Sequence, residues 1–261
     1  MYTQLTLWCC HSVGFTVGRK DRLRAVFSYK EQRLRTIVYI DGYNFYFGLL
    51  KNTAYKWLDT VALIKHICHV QNPEFNVIAV KFFTAPVITR VPSRGDKALQ
   101  AQNAYHRALT ISYPDTLEII NGYHILEKGY PPRYNKPIVK EDRVAVWRLE
   151  EKQTDVNIAL HLYRDATLQK CEHVVLVSSD SDLAPALAFI KQDHPKIHTG
   201  LILPRPKPIE SANGKHRPAN KTLSDLSNWT RSYVLEEELK QFQFPDKVPT
   251  KKKPAVKPDY W

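Results

Sequence analysis

Cysteine and glycine are scarce in this sequence, and the motifs that depend on them are missing. Four cysteines form no CxxC pair and have no zinc-binding spacing with histidine: Cys9, Cys10, Cys68 and Cys171. This pattern argues against a disulfide framework and a structural zinc site, and it favours a reduced, cytoplasmic setting. Neither GxGxxG nor GxxxxGK(S/T) occurs, so dinucleotide and nucleoside triphosphate sites lack their phosphate-binding loops. A GxSxG nucleophile elbow is also missing, which argues against a serine hydrolase.

The sequence also lacks a hydrophobic run long enough to cross a membrane. Residues 5–17 are semi-apolar, but the segment is short and its basic residues follow it, the reverse of a secretion signal. We therefore expect neither a membrane span nor secretion. Positive charge is abundant instead, with a formal net charge of +12 and a pI of about 9.4. Such a chain favours an acidic partner, with nucleic acid as the first candidate and an anionic membrane surface as the second.

Two segments place acidic residues directly after a buried strand. The first is TIVYIDGYNFYF, residues 36–47, in which a β-branched and aromatic run ends at Asp41 and Gly42. The second is HVVLV, residues 173–177, followed by SSDSD with Asp180 and Asp182. In open α/β sheets, ligands bind outside the carboxyl ends of the strands. Both segments therefore bring carboxylates to one rim of the predicted sheet.

Strand-like and helix-like segments alternate along the chain. The predicted strands cover 36–40, 77–84, 117–126, 173–177 and 197–203. The predicted helices begin near residue 44 and cover 58–70, 93–111, 150–168, 182–191 and 223–244. This alternation predicts an α/β fold in which a mainly parallel central sheet is covered by helices on both faces.

Four regions flank or interrupt the predicted domain, which spans 34–248. Residues 1–33 form a basic N-terminal extension without clear periodicity. Residues 128–148 contain three prolines and are expected to be a long irregular insertion, which in a compact domain is more often functional or mobile than filler. Residues 204–218 are expected to be a flexible basic loop. Residues 249–261 are expected to be a Lys/Pro-rich disordered tail.

Four aspartates are the candidate catalytic and metal-binding residues. Asp155 precedes apolar residues at helical spacing, so it is expected to continue the helix stripe that faces the sheet. Taken singly, each has a structural alternative, because Asp155, Asp180 or Asp182 could cap a helix. Asp41 could be a turn residue. Together the four would repel one another unless a divalent cation neutralised them. Hard oxygen ligands select Mg²⁺ or Mn²⁺, which suits phosphodiester hydrolysis.

The residues around these aspartates divide into one candidate and several structural ones. The amide of Asn44 could hydrogen-bond a metal ligand or the scissile phosphate, and an ordinary helix cap is the equal alternative. Asp165 is excluded from the site, because it lies about 15 Å beyond Asp155 along one helix and about 80° around it. His161 is expected to be a partly exposed helix residue rather than a general base. The aromatic residues after the first strand are expected in the core rather than stacked on bases: Tyr43, Phe45, Tyr46 and Phe47.

Three ordered segments resemble the NYN domains, a branch of the PIN-like nucleases. They are YIDGYNFYFG at 39–48, EEKQTDVNIALHLYRDA at 150–166 and VLVSSDSDLAPAL at 175–187. QFPDKV at 243–248 is similar to the usual C-terminal end of the family, so the resemblance spans about 35–248. Gln153 and Thr154 stand where Gly and Ser are common, which changes a helix entry but no ligand. The N-terminal extension and the tail lie outside the resemblance.

The resemblance implies a three-layer α/β/α sandwich and a metal-dependent ribonuclease. It implies an acidic cluster that holds Mg²⁺ or Mn²⁺, with Asn44 beside it: Asp41, Asp155, Asp180 and Asp182. The implied reaction is hydrolysis of single-stranded RNA, which leaves a 5′-phosphate. DNA or a phosphorylated small molecule stays open as the substrate. A non-catalytic RNA-binding or regulatory module with the same fold is the alternative, and the basic surface does not distinguish the two, because both need it.

Overall fold

The computed structural model describes residues 33–90, 95–208, 221–250 and 253–261. The predicted basic N-terminal extension lies outside these residues except for Arg33, and so does most of the predicted basic loop at 204–218. Within the described ranges, no helix has both the length and the apolar character needed to cross a membrane.

Strands and helices alternate over most of the described chain. The strands are β1 Leu34–Asp41, β2 Phe75–Thr84, β3 Leu117–Asn121, β4 Tyr123–Gly129, β5 Val146–Lys152, β6 His173–Val177, β7 His198–Ile202, β8 Trp229–Arg231, β9 Lys247–Val248 and β10 Ala255–Val256. The α-helices are α1 Gly42–Phe45, α2 Thr60–Gln71, α3 Asp96–Ser112, α4 Thr154–Thr167, α5 Ala184–Asp193, α6 Lys221–Leu226 and α7 Glu236–Gln241. A π-helical turn, Tyr46–Leu50, extends α1, and a 3₁₀ turn, Ser181–Leu183, leads into α5.

Six strands form one parallel sheet in the order β3-β2-β1-β6-β7-β8. The chain builds this sheet outward from β1 to β3, returns to place β6 beside β1, and then continues outward to β8. The direction of building therefore reverses between β1 and β6. In open α/β sheets the crevice at such a reversal, outside the carboxyl ends of the strands, is the usual binding site.

Both faces of the parallel sheet are buried. Ile40 of β1 points into one apolar cluster with α2 and α3, whereas its neighbour Tyr39 points into a second cluster with α4 and α5. Successive residues of a strand point to opposite faces, so a strand covered on both sides is apolar throughout. Cys68 and Cys171 are free thiols, one in each cluster. The predicted three-layer α/β/α fold is confirmed.

The region between the third predicted strand and the next helix is a correction to the sequence prediction. The predicted strand 117–126 divides at Gly122, where a Cβ atom would lie 2.7 Å from Thr154 Oγ1. Its second part becomes β4, which pairs with β5 as an antiparallel hairpin outside the main sheet. The ends of the predicted irregular insertion are thus regular strands. The predicted helix from Glu150 begins only at Thr154, because residues 150–152 pair with β4.

The predicted helix 223–244 is also interrupted. α6 and α7 are separated by β8, which pairs in parallel with β7 and completes the sheet. Trp229 anchors this strand, because its Nε1 donates a 3.0 Å hydrogen bond to His173 Nε2. Its ring also lies over Gly200, where a Cβ atom would lie 2.8 Å from Trp229 Nε1. A three-residue strand that is held by contacts with residues distant in sequence leaves no periodic signal in the sequence.

The predicted disordered tail is wrong for residues 253–261, which pack against the domain. β10 pairs with β9 in an antiparallel manner, and Ala255 is fully buried. The ring of Trp261 lies 6.1 Å from that of Trp57, measured between centroids. Tyr260 Oη donates a 2.7 Å hydrogen bond to the carbonyl oxygen of Lys97. The lysine-rich composition predicts disorder, but the burial of a few apolar residues holds this segment against the domain.

Candidate active site

Asp41 is the buried centre of the site. It is the last residue of β1 and is only 3% exposed. Its Oδ1 accepts a 2.9 Å hydrogen bond from the backbone N–H of Asn44, so Asp41 caps α1. Its Oδ2 accepts a 2.9 Å hydrogen bond from Ser178 Oγ. The pKa of Asp41 is raised to about 6, mainly by burial and to a smaller extent by the carboxylates of Asp155 and Glu151, while these two hydrogen bonds act in the opposite direction.

Ser178 and Asn44 join the ends of the two central strands. Ser178 follows β6 directly and is fully buried, and its Oγ also accepts a 3.0 Å hydrogen bond from the N–H of Asp180. Asn44 Oδ1 accepts a 3.2 Å hydrogen bond from the N–H of Ser179. The backbone after β6 is therefore tied to the backbone after β1. Sequence reasoning missed this role of Ser178; its small polar side chain directly after a buried strand was the available signal.

Asp180 and Asp182 lie on the turn that follows Ser178. Asp180 Oδ1 accepts a 2.9 Å hydrogen bond from the N–H of Asp182, so Asp180 caps the 3₁₀ turn. This cap is the structural role that the sequence allowed for an acid at this position. Both carboxylates nevertheless act electrostatically on Asp155, whose pKa they raise. A capping role and a place in the acidic cluster are thus compatible.

Asp155 lies in the first turn of α4 and reaches the cluster from the other side. Burial is the largest cause of its raised pKa, followed by the carboxylates of Asp180, Glu151 and Asp182. The residue as a whole is exposed and its carboxyl group is only partly desolvated, so the expectation that it would continue the buried stripe is wrong. The buried stripe runs through Thr154, Ile158 and Leu162, and Asp155 lies beside it, about 100° around the helix from Thr154. Gln153, before this turn, has φ of 75°, a left-handed conformation that favours glycine.

Glu151 is an acid of this site that the sequence prediction missed. It accepts a hydrogen bond from Thr154 Oγ1 at the junction of β5 and α4. Its carboxylate raises the pKa of Asp41, Asp155 and Tyr43. The sequence pattern predicts a helix at residue 151, and on a helix the Glu151 side chain would not be expected to face the cluster. In the β5 strand it faces the cluster.

The chemistry of these side chains suits a hard divalent cation. Carboxylate oxygens are the ligands that Mg²⁺ and Mn²⁺ prefer, and the contribution of neighbouring carboxylates to the raised pKa values of Asp41 and Asp155 indicates a concentration of negative charge that a cation would relieve. Among the described residues, however, no three His, Cys, Asp or Glu side chains are assembled closely enough to hold a metal ion as they stand. The carboxylate oxygens are suitable ligands for such an ion, but these side chains would have to move closer together to coordinate it.

Asp165 lies in a buried hydrogen-bond and ion-pair network of its own. Its Oδ2 is 2.5 Å from Lys81 Nζ and accepts a 2.9 Å hydrogen bond from Tyr39 Oη. Lys170 Nζ donates to its other oxygen at 2.9 Å. His161 Nδ1 lies 3.1 Å from Lys81 Nζ, so this imidazole belongs to the same network rather than to the acidic cluster.

The aromatic residues after Asp41 point in different directions. Phe45 is 1% exposed and lies in the core, as expected. Tyr43 and Phe47 are 39% and 44% exposed, so the expectation of a core position is wrong for these two. Their rings lie 4.5 Å apart between centroids at an interplanar angle of 35°. On the short α1 and its π-helical extension they share a face that points away from the sheet.

A three-layer sandwich with carboxylates at its switch point is the architecture of PIN-like domains. The chain belongs to the NYN domain family, a PIN-like nuclease family, because the model of the NYN domain matches residues 35–213.

Two further similarities differ in strength. The chain is 36% identical over 245 residues to 6-hydroxy-3-succinoylpyridine 3-monooxygenase HspA of Pseudomonas putida, and the match covers 87% of this chain and 75% of that protein. A crystal structure of a protein of unknown function from Vibrio parahaemolyticus is similar with a TM-score of 0.43 and 16% sequence identity, covering 77% of this chain and 94% of that one. The second similarity is too weak to support a functional argument.

Proposed function

We propose that this chain is a Mg²⁺- or Mn²⁺-dependent endoribonuclease. The supporting observation is the convergence of Asp41, Asp155 and Asp180 at the switch point between β1 and β6, where the Asp155 carboxylate contributes to the raised pKa of Asp41 and the Asp180 carboxylate to that of Asp155. Like charges gathered beside a binding crevice destabilise the empty protein and gain from a bound cation. Membership of a PIN-like nuclease family supports the same reaction class.

The ion would be held by Asp41, Asp155, Asp180 and Asp182. When bound, it would supply a Lewis acid that activates water and offsets charge on the phosphoryl oxygens. Ser178 holds the Asp41 carboxylate through its 2.9 Å hydrogen bond. Asn44 keeps the two strand ends together through its 3.2 Å contact with Ser179 N. Oriented ligands of this kind keep their geometry through the reaction, which raises metal affinity and rate.

The proposed substrate is single-stranded RNA, with a 5′-phosphate left on the product. A chain with a net charge of +12 attracts the phosphate backbone, and the release of counterions makes such binding strongly salt-dependent. Basic side chains would hold the phosphate backbone of the RNA, and the acidic cluster would carry out the hydrolysis. The two kinds of group can therefore act on the same strand. We expect affinity for RNA to fall steeply between about 50 and 200 mM salt.

The test is the incubation of end-labelled RNA with Mn²⁺ or Mg²⁺ and three variants. Asp41→Asn and Asp180→Asn remove a charge with little change in shape, whereas Asp225→Asn alters an exposed acid on α6. We expect metal-dependent cleavage by the wild type and Asp225→Asn, and its loss in the other two. RNA binding without cleavage in every variant would instead identify a non-catalytic RNA-binding or regulatory module.

A second candidate function is hydroxylation of a heteroaromatic ring. It is favoured by the 36% identity to a protein named as a pyridine monooxygenase. A monooxygenase transfers one oxygen atom of O₂ to its substrate and reduces the other to water with two electrons and two protons from a reduced donor such as a reduced nicotinamide. The test is incubation with 6-hydroxy-3-succinoylpyridine, reduced nicotinamide and ¹⁸O₂. Labelled product without RNA cleavage would replace the nuclease proposal.

A further inference from the structure

A cavity of about 580 Å³ lies directly beside the acidic cluster. It begins at Gly42 and Tyr43, the two residues that follow Asp41. Its volume is within the range of pockets that enclose small ligands. Gly42 is required here, because a Cβ atom would lie 2.6 Å from the carbonyl oxygen of Phe83. The close approach of α1 to β2 therefore places Tyr43 between the cluster and the cavity.

Six segments of the chain form the walls of this cavity. They are α1 with its π-helical turn, the loop that follows this turn, the end of β2 with the loop after it, α3, the base of the β4–β5 hairpin and the C-terminal segment; representative lining residues are Phe47, Val87, Gln102, His124, Leu149 and Trp261. The Gln102 side chain accepts a 2.9 Å hydrogen bond from Val87 N and donates one of 2.9 Å to the carbonyl oxygen of Ala85. This amide fixes the loop against α3, so one wall is preformed.

The exposed face of the cavity carries two aromatic rings. Tyr43 and Phe47 lie 4.5 Å apart between ring centroids, and the His124 ring lies 6.0 Å from that of Tyr43. Monomeric proteins expose single aromatic residues often, whereas an adjacent pair at the mouth of a cavity forms a stacking surface. Planar rings gain from stacking on such a surface whatever their substituents.

The polar groups of the cavity suit a hydrogen-bond donor, such as a ring N–H, and an anion. His124 Nδ1 lies 2.9 Å from the carbonyl oxygen of Pro86; a carbonyl only accepts, so Nδ1 donates and Nε2 is left as an acceptor. Lys51 and Lys56 also line the cavity, and Lys51 Nζ lies 4.7 Å from the Phe47 ring centroid. Neither lysine forms a salt bridge with a carboxylate of the described chain, so both can receive an anion at the end of the stacked ring.

We propose that this cavity binds a planar heteroaromatic ring stacked on Tyr43 and Phe47, with an anionic substituent paired to Lys51 and Lys56. Two sources share this chemistry, namely a nucleotide of the RNA substrate and a small heteroaromatic acid. The nucleotide source rests on the proposed function and deepens it, since a nucleotide held here with one phosphate on the lysines brings the neighbouring phosphate of the strand towards Asp41. Binding itself needs no turnover, so it is measured independently of either reaction.

Isothermal titration calorimetry on the full chain tests the proposal. The ligands are uridine and adenosine 5′-monophosphate for the first source and pyridine-3-carboxylate for the second, with ribose 5-phosphate as the ligand without a ring. We expect Tyr43→Ala and the double variant Lys51→Met/Lys56→Met to weaken binding by about tenfold each. Tyr43→Phe should keep it, because the ring is retained. Tyr134→Ala is the matched control, as Tyr134 is 85% exposed and lies outside the cavity.

The outcomes separate this proposal from the proposed function. Binding of the mononucleotides or of pyridine-3-carboxylate that is tighter than binding of ribose 5-phosphate supports the proposal. The ligand that binds more tightly of the two identifies the source. Ribose 5-phosphate binding as tightly as the nucleotides, or unchanged affinity in Tyr43→Ala, would overturn it. Asp180→Asn should lose RNA cleavage while keeping its affinity for these ligands. Loss of cleavage therefore tests the proposed function, whereas loss of ligand binding tests the cavity.

Discussion

Ser178 Oγ donates a 2.9 Å hydrogen bond to Asp41 Oδ2 and thereby ties the carboxyl end of β6 to that of β1. The two strands are neighbours in the sheet but the two residues are distant in sequence. This contact is buried on both sides, since Asp41 is 3% and Ser178 0% exposed. A buried hydrogen bond to a carboxylate both positions the carboxylate and lowers its cost of desolvation.

Replacement of Ser178 by alanine tests this contact. We expect Ser178→Ala to lower RNA cleavage about 10- to 100-fold, because an outer hydrogen-bond partner orients the proposed metal ligand. The free energy of unfolding should fall by about 1–3 kcal/mol, since Asp41 loses a buried donor. Metal-titrated cleavage rates and urea denaturation measure the two effects. Ser181→Ala, in the same loop but exposed, should change neither; equal effects in both variants would contradict the role given to Ser178.

Glu151 offers a test of the acid that the sequence concealed. We expect Glu151→Gln to raise the Mn²⁺ concentration for half-maximal cleavage about tenfold, because one negative charge beside Asp41 and Asp155 is removed. The measurement is a Mn²⁺ titration of the cleavage rate. Glu150→Gln is the matched control, since Glu150 pairs with Arg148 and Lys152 instead. A shift of the same size in the control would show a general loss of negative charge rather than a local effect.

The pair of Lys81 and Asp165 is predicted to stabilise the fold without taking part in the reaction. Their side chains are 10% and 1% exposed and lie 2.5 Å apart. Lys81→Met should lower the free energy of unfolding by about 3 kcal/mol, because it leaves the buried carboxylate with fewer partners. Lys81→Met/Asp165→Leu should recover much of that loss, because no buried charge remains unpaired. Urea denaturation measures both, and a double variant no more stable than the single one would contradict this account.

His173 should make stability depend on pH. Burial, with a smaller effect of His198, lowers its pKa from 6.5 to about 3 in the folded chain. Its two ring nitrogens are engaged by Thr36 Oγ1 and Trp229 Nε1, both at 3.0 Å. Below pH 6.5 the unfolded chain binds a proton that the folded chain does not, so this contribution to stability falls as the pH falls, by up to about 1.4 kcal/mol per pH unit.

The measurement is urea denaturation at pH 7.5 and pH 5.0. We expect His173→Gln to be less stable than the wild type at pH 7.5, yet to lose about 2 kcal/mol less on going to pH 5.0, because glutamine does not titrate. His69→Gln, at an exposed position at the end of α2, should leave the pH dependence near that of the wild type. Parallel pH dependences of the wild type and His173→Gln would refute the assignment.

Much of the sheet was predictable from the sequence because its strands are buried on both faces. β1 and β6 read as unbroken apolar runs followed by acids, and the structure has strands there. Asp165 was placed outside the site by helix geometry alone, since rise and rotation per residue are fixed. The hairpin of β4 and β5 was not predictable in the same way. Its strands alternate weakly and are half exposed, so pairing rather than periodicity defines them.

The candidate site was predicted in its acids but not in their surroundings. Asp41, Asp180 and Asp155 were visible because each begins or ends an element with a strong pattern. Ser178 and Glu151 were not, because their importance depends on which distant residues they meet. Tyr43 and Phe47 were misjudged for a related reason: hydrophobic character predicts burial on average, and only the surrounding chain decides whether there is room in the core.

The sequence by itself determined the central strands of the sheet, the apolar faces of the helices that pack on them and the acids at the strand ends, because these depend on residues close together in the chain. The tertiary structure alone decided that Ser178 holds Asp41, that Glu151 joins the cluster, that Trp261 closes a cavity beside Tyr43 and that residues 253–261 pack against the domain. Each of these depends on contacts between residues far apart in sequence, where local periodicity carries no information about partners.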